Sequence, residues 1–461
     1  RMIARSSRSN TTTQVTVSAW LTTPDQAQLL TRQPDIAWTR NGKTSGSTIF
    51  VDERQSYQQM VGFGASFTDS SAWLMQQKLA LKERSDLMKK LFHPRAGIGL
   101  SFLRQPLGAS DFTTCGNYSY DEMPAGQTDP TLANFSLEHD RASIIPLLKQ
   151  ALHINPRLRI MATPWSPPGW MKSSDSMIGG TLNASAYEPY ANYLVKCIQA
   201  YAVEDVPLYA ITPQNEPLHA PSTCPGMFLS ASQEADLIKN HLGPAFAAHG
   251  IPTKILIYDH NWDTPEYPEA ILADSAAAAY VAGSAFHGYA GDPSAQSRVY
   301  DAYPDKEIYF TECSAGGWSS DFGQNLQWMT KNFIIGTIRH WAKTVSLWNI
   351  ALDQQNGPQN GGCPNCRGVV TIDQQHGTIT YNVDYYLLGH ISKFVIPGAY
   401  RIASSPFEND RIEYVAFRNP DGSKVFLVLN AAPSSTTFTV QSGTRSFTYS
   451  LPAGAVATFT W

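Results

Sequence analysis

The chain has 461 residues with a formal net charge of −4, 43% hydrophobic and 16% charged. That length exceeds one small domain and suits a barrel of about 250 residues plus an accessory domain, and the composition excludes global disorder. The weak acidic balance argues against a nucleic-acid partner, which needs clustered Lys and Arg, and no run of about 18 apolar residues is present for stable membrane insertion.

In chain order, residues 1–13 are basic and then Ser/Thr-rich; they read as a processed terminus, and no signal peptide is visible. Residues 14–20 and 48–52 alternate as strands. Eight short β-type runs follow, at 62–68, 100–108, 158–165, 208–217, 253–261, 283–290, 307–314 and 344–352. Their interiors are nearly continuous apolar runs, as for parallel strands buried on both faces. Helix-compatible segments lie between most of them, at 70–91, 138–152, 186–202, 232–249 and 322–342. This alternation predicts an α/β chain folded as a (β/α)8 TIM barrel. From 411 onward the pattern returns to strands, at 411–418, 424–430, 434–440, 445–451 and 456–461, separated by turn chemistry such as Asn419-Pro420-Asp421-Gly422 and Ser442-Gly443. Chain ends tend to lie close together, so both termini are expected to form one accessory β-sandwich. The division is then 1–60 for the N-terminal sandwich strands, 61–395 for the catalytic barrel and 396–461 for the rest of the sandwich.

A TIM barrel carries its site at the C-terminal ends of its strands. Those ends hold Arg104 with Asp111 nearby, Trp165, Asn215-Glu216, Asp259-His260, His287 and Tyr289, Glu312, and Trp348. Carboxylates and amides bind hydroxyls, and indoles stack on the flat CH faces of sugars. Plain core packing is the competing reading for the aromatic rings. Glycoside hydrolysis needs two carboxyls flanking one bond. Glu216 and Glu312 end strands four and seven, which face each other across a barrel mouth, and can reach the retaining separation of about 5–5.5 Å. A single Glu at a strand end is more simply a salt-bridge partner of Arg104; two opposed ones are not. Glu216 is read as general acid/base and Glu312 as nucleophile. The charge on Glu312 is expected to keep Glu216 protonated to higher pH than an isolated Glu, and Arg104 to keep Glu312 ionised. Asn215 can donate to the sugar 2-hydroxyl. His287 and Tyr289 either orient Glu312 or are structural. Asp259, His260 and Asp263 resemble a metal cluster, but one loop supplies them all, so neither a metal nor another cofactor is expected. Cys363 and Cys366 lack a second ligand pair; a local disulfide or two free thiols fits better than zinc.

In order along the chain, Gly62-Phe63-Gly64-Ala65-Ser66-Phe67-Thr68-Asp69, Phe102-Leu103-Arg104-Gln105-Pro106, Pro164-Trp165-Ser166-Pro167-Pro168-Gly169-Trp170, Gln214-Asn215-Glu216-Pro217, Thr311-Glu312-Cys313 and Leu347-Trp348-Asn349 resemble glycoside hydrolase family 30, as does Tyr385-Tyr386-Leu387-Leu388-Gly389-His390. The family includes glucosylceramidases and microbial β-1,6-glucanases. The resemblance implies a double displacement on Glu216 and Glu312. It also implies a non-reducing glucose bound by Asp111, Trp165, Asn215 and Trp348, with His287 and Tyr289 beside the nucleophile. Loop 218–228 differs from that of the human-type enzyme and loop 361–368 looks like those of microbial members, which points to an extracytoplasmic (secreted or periplasmic) enzyme on β-glucan or β-glucosides. The alternatives are a glucosylceramidase, a β-xylosidase, a non-catalytic carbohydrate-binding protein, and a metal-dependent hydrolase centred on Asp259 and His260.

Overall fold

The computed structural model describes residues 16–40 and 47–461. The processed-terminus reading of 1–13 and the first two residues of the 14–20 strand lie outside them. Eight parallel strands close into a barrel: Gly62–Ser66, Phe102–Pro106, Arg159–Thr163, Ala210–Ile211, Lys254–Asn261, Val281–His287, Glu307–Glu312 and Ala342–Asn349. Each falls within or overlaps a run read from the apolar pattern. The inward layer of Phe102, Met161, Ala210, Leu256, Ala285 and Tyr309 fills the interior with side chains, so the barrel is a packed core and not a pore.

Several elements depart from the expected bounds, each for a local reason. The expected helix at 70–91 is two, Asp69–Gln77 and Leu81–Phe92. Thr68 caps the first by accepting from Ser71 N, and extended backbone at Ala80 starts the second. The fourth strand is only Ala210–Ile211; Pro213 and Pro217 remove ladder donors from the rest of the expected 208–217 run. The last expected barrel helix, 322–342, ends at Arg339 after a π-type stretch, Thr330–Gly336. The alternation did not mark helices Glu266–Ala273 and Ser294–Ala302.

The accessory domain joins both ends of the chain. Strand Thr16–Thr22 pairs antiparallel with Val456–Thr460, Ser18 opposite Thr460. Strand Ser47–Gln59 pairs antiparallel with Tyr400–Ser404 and parallel with Thr436–Ser442. On strand Lys424–Asn430, Phe426 and Val428 enter the sandwich core, while Val425, Leu427 and Leu429 pack on the barrel cluster. A period of two along one strand thus serves two cores, and the domain is fixed to the barrel by buried apolar surface. His390, on helix Val383–Ser392, adds a polar tie: its ring bonds Thr22 at 2.7 Å and Thr458 at 2.9 Å. Burial lowers its pKa to about 3, so it is neutral. Among the described residues no helix is long and apolar enough to cross a membrane.

Candidate active site

The site is built around one buried cation. Arg104, in the second barrel strand, is wholly buried. It donates to Glu312 Oε1 at 2.7 Å, to Asn215 Oδ1 at 2.7 Å and to Asp259 Oδ2 at 2.8 Å. Its guanidinium also lies 5.0 Å from the ring centre of Trp165, which stacks on Trp348 at 4.9 Å. An arginine suits this position because its planar fork serves several acceptors and keeps its charge when buried.

Asp259 is the opposite pole. Both backbone units at Tyr258 and Asp259 have positive φ (74° and 56°), and the pairing of the fifth and sixth strands slips between Tyr258 and His260. This bulge turns Asp259 into the barrel. There it accepts from Arg104, from Thr163 (3.1 Å), Thr212 (2.8 Å) and Thr311 (2.8 Å), and meets His287 Nε2 at 2.7 Å. Burial alone would raise this carboxyl; the charges of Arg104 and His287 reverse that and hold it well below the usual range. Behind the bulge, buried Glu234 accepts from the Tyr267 hydroxyl at 2.5 Å, and burial pushes it up to about 7. With five partners inside the protein, Asp259 is committed to structure and not to the metal cluster its sequence neighbours suggested. Asp259→Asn is expected to cost about 3–5 kcal/mol, because it leaves much of the Arg104 charge buried and uncompensated; the shift in a denaturant midpoint measures it.

Above this base sit the two candidate catalytic carboxyls. Glu216 has φ 45°, a strained value for a side chain with Cβ, and its N–H donates to Asp259 O at 3.0 Å. Its Oε1 lies 3.0 Å from His287 Nδ1. Glu312 is held by Arg104 on one oxygen and by the Tyr289 hydroxyl, at 2.7 Å, on the other. One carboxylate oxygen from each Glu and a ring nitrogen of His287 all lie within 4.8 Å of one another. Burial, with the charge of Glu216, pushes Glu312 up, against the charges of His287 and Arg104.

His287 changes the expected proton arrangement. Its Nε2 must carry hydrogen, because it faces the ionised Asp259. Its Nδ1 then either donates to Glu216 or accepts from it, so the His287–Glu216 pair holds one shared proton. Burial lowers His287, yet the charges of Asp259 and Glu312 raise it to about 9. Burial raises Glu216, yet the hydrogen bond and charge of His287 outweigh it and hold it below its ordinary value. The expectation that Glu216 alone keeps the proton is corrected accordingly: it considered Glu312 and not the imidazole on the other flank.

The mouth is an open cavity of about 610 Å³. Asp111, Trp165, Asn215, Tyr289 and Trp348 reach it together with both Glu, while Arg104 and His287 lie beneath. The Oδ1 of Asp111 is buried without a hydrogen-bond partner, and burial, then the charge of Glu312, pushes this carboxyl up to about 8. Since Asn215 spends its oxygen on Arg104, its amide N–H₂ is the group left for a ligand. Residues that the strand ends did not indicate also line the cavity: His219, Thr223 and Cys224 from the loop after Glu216, and Gly361 with Cys363 and Cys366 from a loop closed by the Cys363–Cys366 disulfide. They lie between strands, where no periodicity marks them.

Comparison with known proteins places this geometry in a family. The Glycosyl hydrolase family 30 TIM-barrel domain matches residues 60–395, and the Glycosyl hydrolase family 30 beta sandwich domain matches 398–459. An endo-1,6-beta-D-glucanase of Neurospora crassa is 36% identical, over 84% of this chain and 82% of that protein. A putative glucosylceramidase 4 of Caenorhabditis elegans is 32% identical, over 84% and 77%. Among solved structures, an endo-beta1,6-glucanase superposes with a TM-score of 0.89 at 35% identity, covering 97% of this chain and 99% of the other. The chain belongs to glycosyl hydrolase family 30 and is a retaining β-glycosidase.

Proposed function

We propose that the protein cleaves β-1,6-linked glucan outside the cytoplasm, with Glu312 as nucleophile and Glu216 as acid/base. The observation that carries the catalytic assignment is that one oxygen of each carboxylate lies within 4.8 Å of the other, in keeping with the retaining carboxyl separation of about 5–5.5 Å. An inverting pair needs about 6.5–9.5 Å to admit water between carboxyl and sugar. Glu312 attacks the anomeric carbon and forms a glycosyl ester, while Glu216 passes a proton to the departing oxygen and receives one from water in the second step. His287 holds the shared proton at Glu216, and Arg104 with Tyr289 fixes the attacking carboxylate. Asp111, Asn215, Trp165 and Trp348 form the wall that takes the sugar, with the unpartnered Asp111 oxygen facing a hydroxyl.

The relatives named as 1,6-glucanases support the linkage, and the open cavity leaves room for a chain on the leaving-group side. The disulfide supports an oxidising compartment. The test is parallel product analysis on β-1,6-glucan, β-1,3-glucan, an aryl β-xyloside and glucosylceramide. Release of β-1,6-linked oligosaccharides at the highest kcat/KM is expected; faster hydrolysis of glucosylceramide would replace the glucan with a glucosyl lipid.

A further inference from the structure

Of the eleven tryptophans, only Trp318 and Trp328 are exposed, at 58% and 54%. Both line one groove of about 580 Å³. It runs along helix Phe322–Met329 to Leu429 and Ala431 of the sandwich domain. Trp318 also lines the active-site cavity, so the two depressions share a wall. We propose that this groove is a second glycan-binding surface, continuous with the catalytic cavity, which holds a distal part of a polymeric substrate. The proposal rests on the β-glucan reading above.

The chemistry favours a neutral glycan. Both rings are braced rather than loose. Trp318 folds onto Gly316, where a Cβ would sit 2.3 Å from the ring, and the adjacent Gly317 N–H donates to Asn365 O at 2.7 Å in the disulfide-closed loop. Trp328 meets Phe333 edge-on at 4.9 Å. Fixed aromatic planes in water are costly unless something covers them, and a pyranose face does so without requiring charge. The side chains of Gln324 and Gln327 line the same groove, and an amide offers both a donor and an acceptor to hydroxyls. The one cation, Lys331, lies 3.3 Å from Glu413 and is largely neutralised, which disfavours an anionic polymer. A glucan chain leaving the cavity over Trp318 reaches Trp328 along this groove.

The test uses the Glu312→Gln protein, so that ligand is not consumed. Its affinity for long β-1,6-glucan and for a β-1,6-linked disaccharide is measured by calorimetry, alone and with Trp328→Ala or Trp328→Phe. Trp328→Ala is expected to weaken polymer binding about tenfold, the scale of a lost aromatic contact, with the disaccharide within about twofold. Trp328→Phe should retain most of the polymer affinity. Unchanged polymer binding in Trp328→Ala overturns the proposal. So does equal loss on both ligands, or a dimer that becomes monomeric in Trp328→Ala with polymer affinity intact, which would make the groove a contact between copies of this chain. A parent protein that binds neither ligand removes the glucan reading itself; a parent that binds the polymer beside an undisturbed Trp328→Ala removes only the groove.

Discussion

Glu312→Gln is expected to lower kcat by about 10⁴-fold or more on every substrate, the scale seen when a covalent nucleophile is removed. The substitution keeps shape and removes charge. With the amide oxygen turned to Arg104 that hydrogen bond persists, the Tyr289 hydroxyl can accept from the amide N–H instead of donating, and Arg104 retains Asp259 as its counterion, so the fold should remain. The loss should therefore appear with an unchanged circular dichroism spectrum and without dependence on the leaving group. A correctly folded Glu312→Gln with wild-type kcat would remove the nucleophile assignment. No exogenous anion should restore retention of configuration in this variant, because the lost group is the one that forms the glycosyl ester.

Glu216→Ala should behave differently on two classes of substrate. An alkyl glycoside needs its oxygen protonated and should lose about 10²–10⁴-fold, the usual contribution of a general acid. An aryl glycoside with a good phenolate leaves without that proton, so its glycosylation step survives and deglycosylation becomes limiting. Azide should then occupy the vacated space, restore turnover and give a β-glycosyl azide; an α-azide, or equal loss on both substrates without rescue, contradicts the role. The wild-type pH profile follows from the shared proton. His287, raised to about 9, sits against Glu216. Between the ordinary carboxylate range and that value the pair keeps one proton to deliver. As pH rises through about 9 that proton is lost, and kcat/KM should fall about tenfold per further unit. On the acid side Glu312, raised by burial and by Glu216, must lose its proton to attack, so the acid limb belongs to it.

Much of this architecture was legible in the sequence. Apolar runs at 62–68, 253–261 and 307–314 could only be strands buried on both faces, and polar residues at their C-terminal ends marked the mouth of the barrel. The strand-sized apolar run at 424–430 likewise signalled a strand, though not that its two faces are buried against different cores. The pattern was silent where geometry departs from regularity. Asp259 enters the barrel only because of two consecutive positive-φ units; strict alternation says nothing of a bulge. His287 and Asp259 are 28 residues apart, and their contact depends on neighbouring strands at a particular register. The shared proton depends on that contact, so it could not be read from residue types. The loops carrying His219, Thr223 and Gly361 lack period altogether, yet they line the cavity.

The commitment of Arg104 to three acceptors has a consequence for how such a protein could change over generations. Arg104, Asp259 and Glu312 form a charge set buried at the barrel centre. Deleting the side chain of one member strands another in a low-dielectric interior, at about 3–5 kcal/mol, a large share of a typical folding free energy; an isosteric amide at Glu312, whose oxygen still accepts from Arg104 beside Asp259, lessens that cost. Glu216 lies outside that set, at the cavity wall, and its replacement leaves no buried ion without a partner, since His287 keeps Asp259 at 2.7 Å. A descendant that gives up hydrolysis and keeps sugar binding would therefore be expected to exchange Glu216 first and retain Arg104, Asp259 and Glu312. In such a lectin-like relative, the survival of these three would record selection on folding alone.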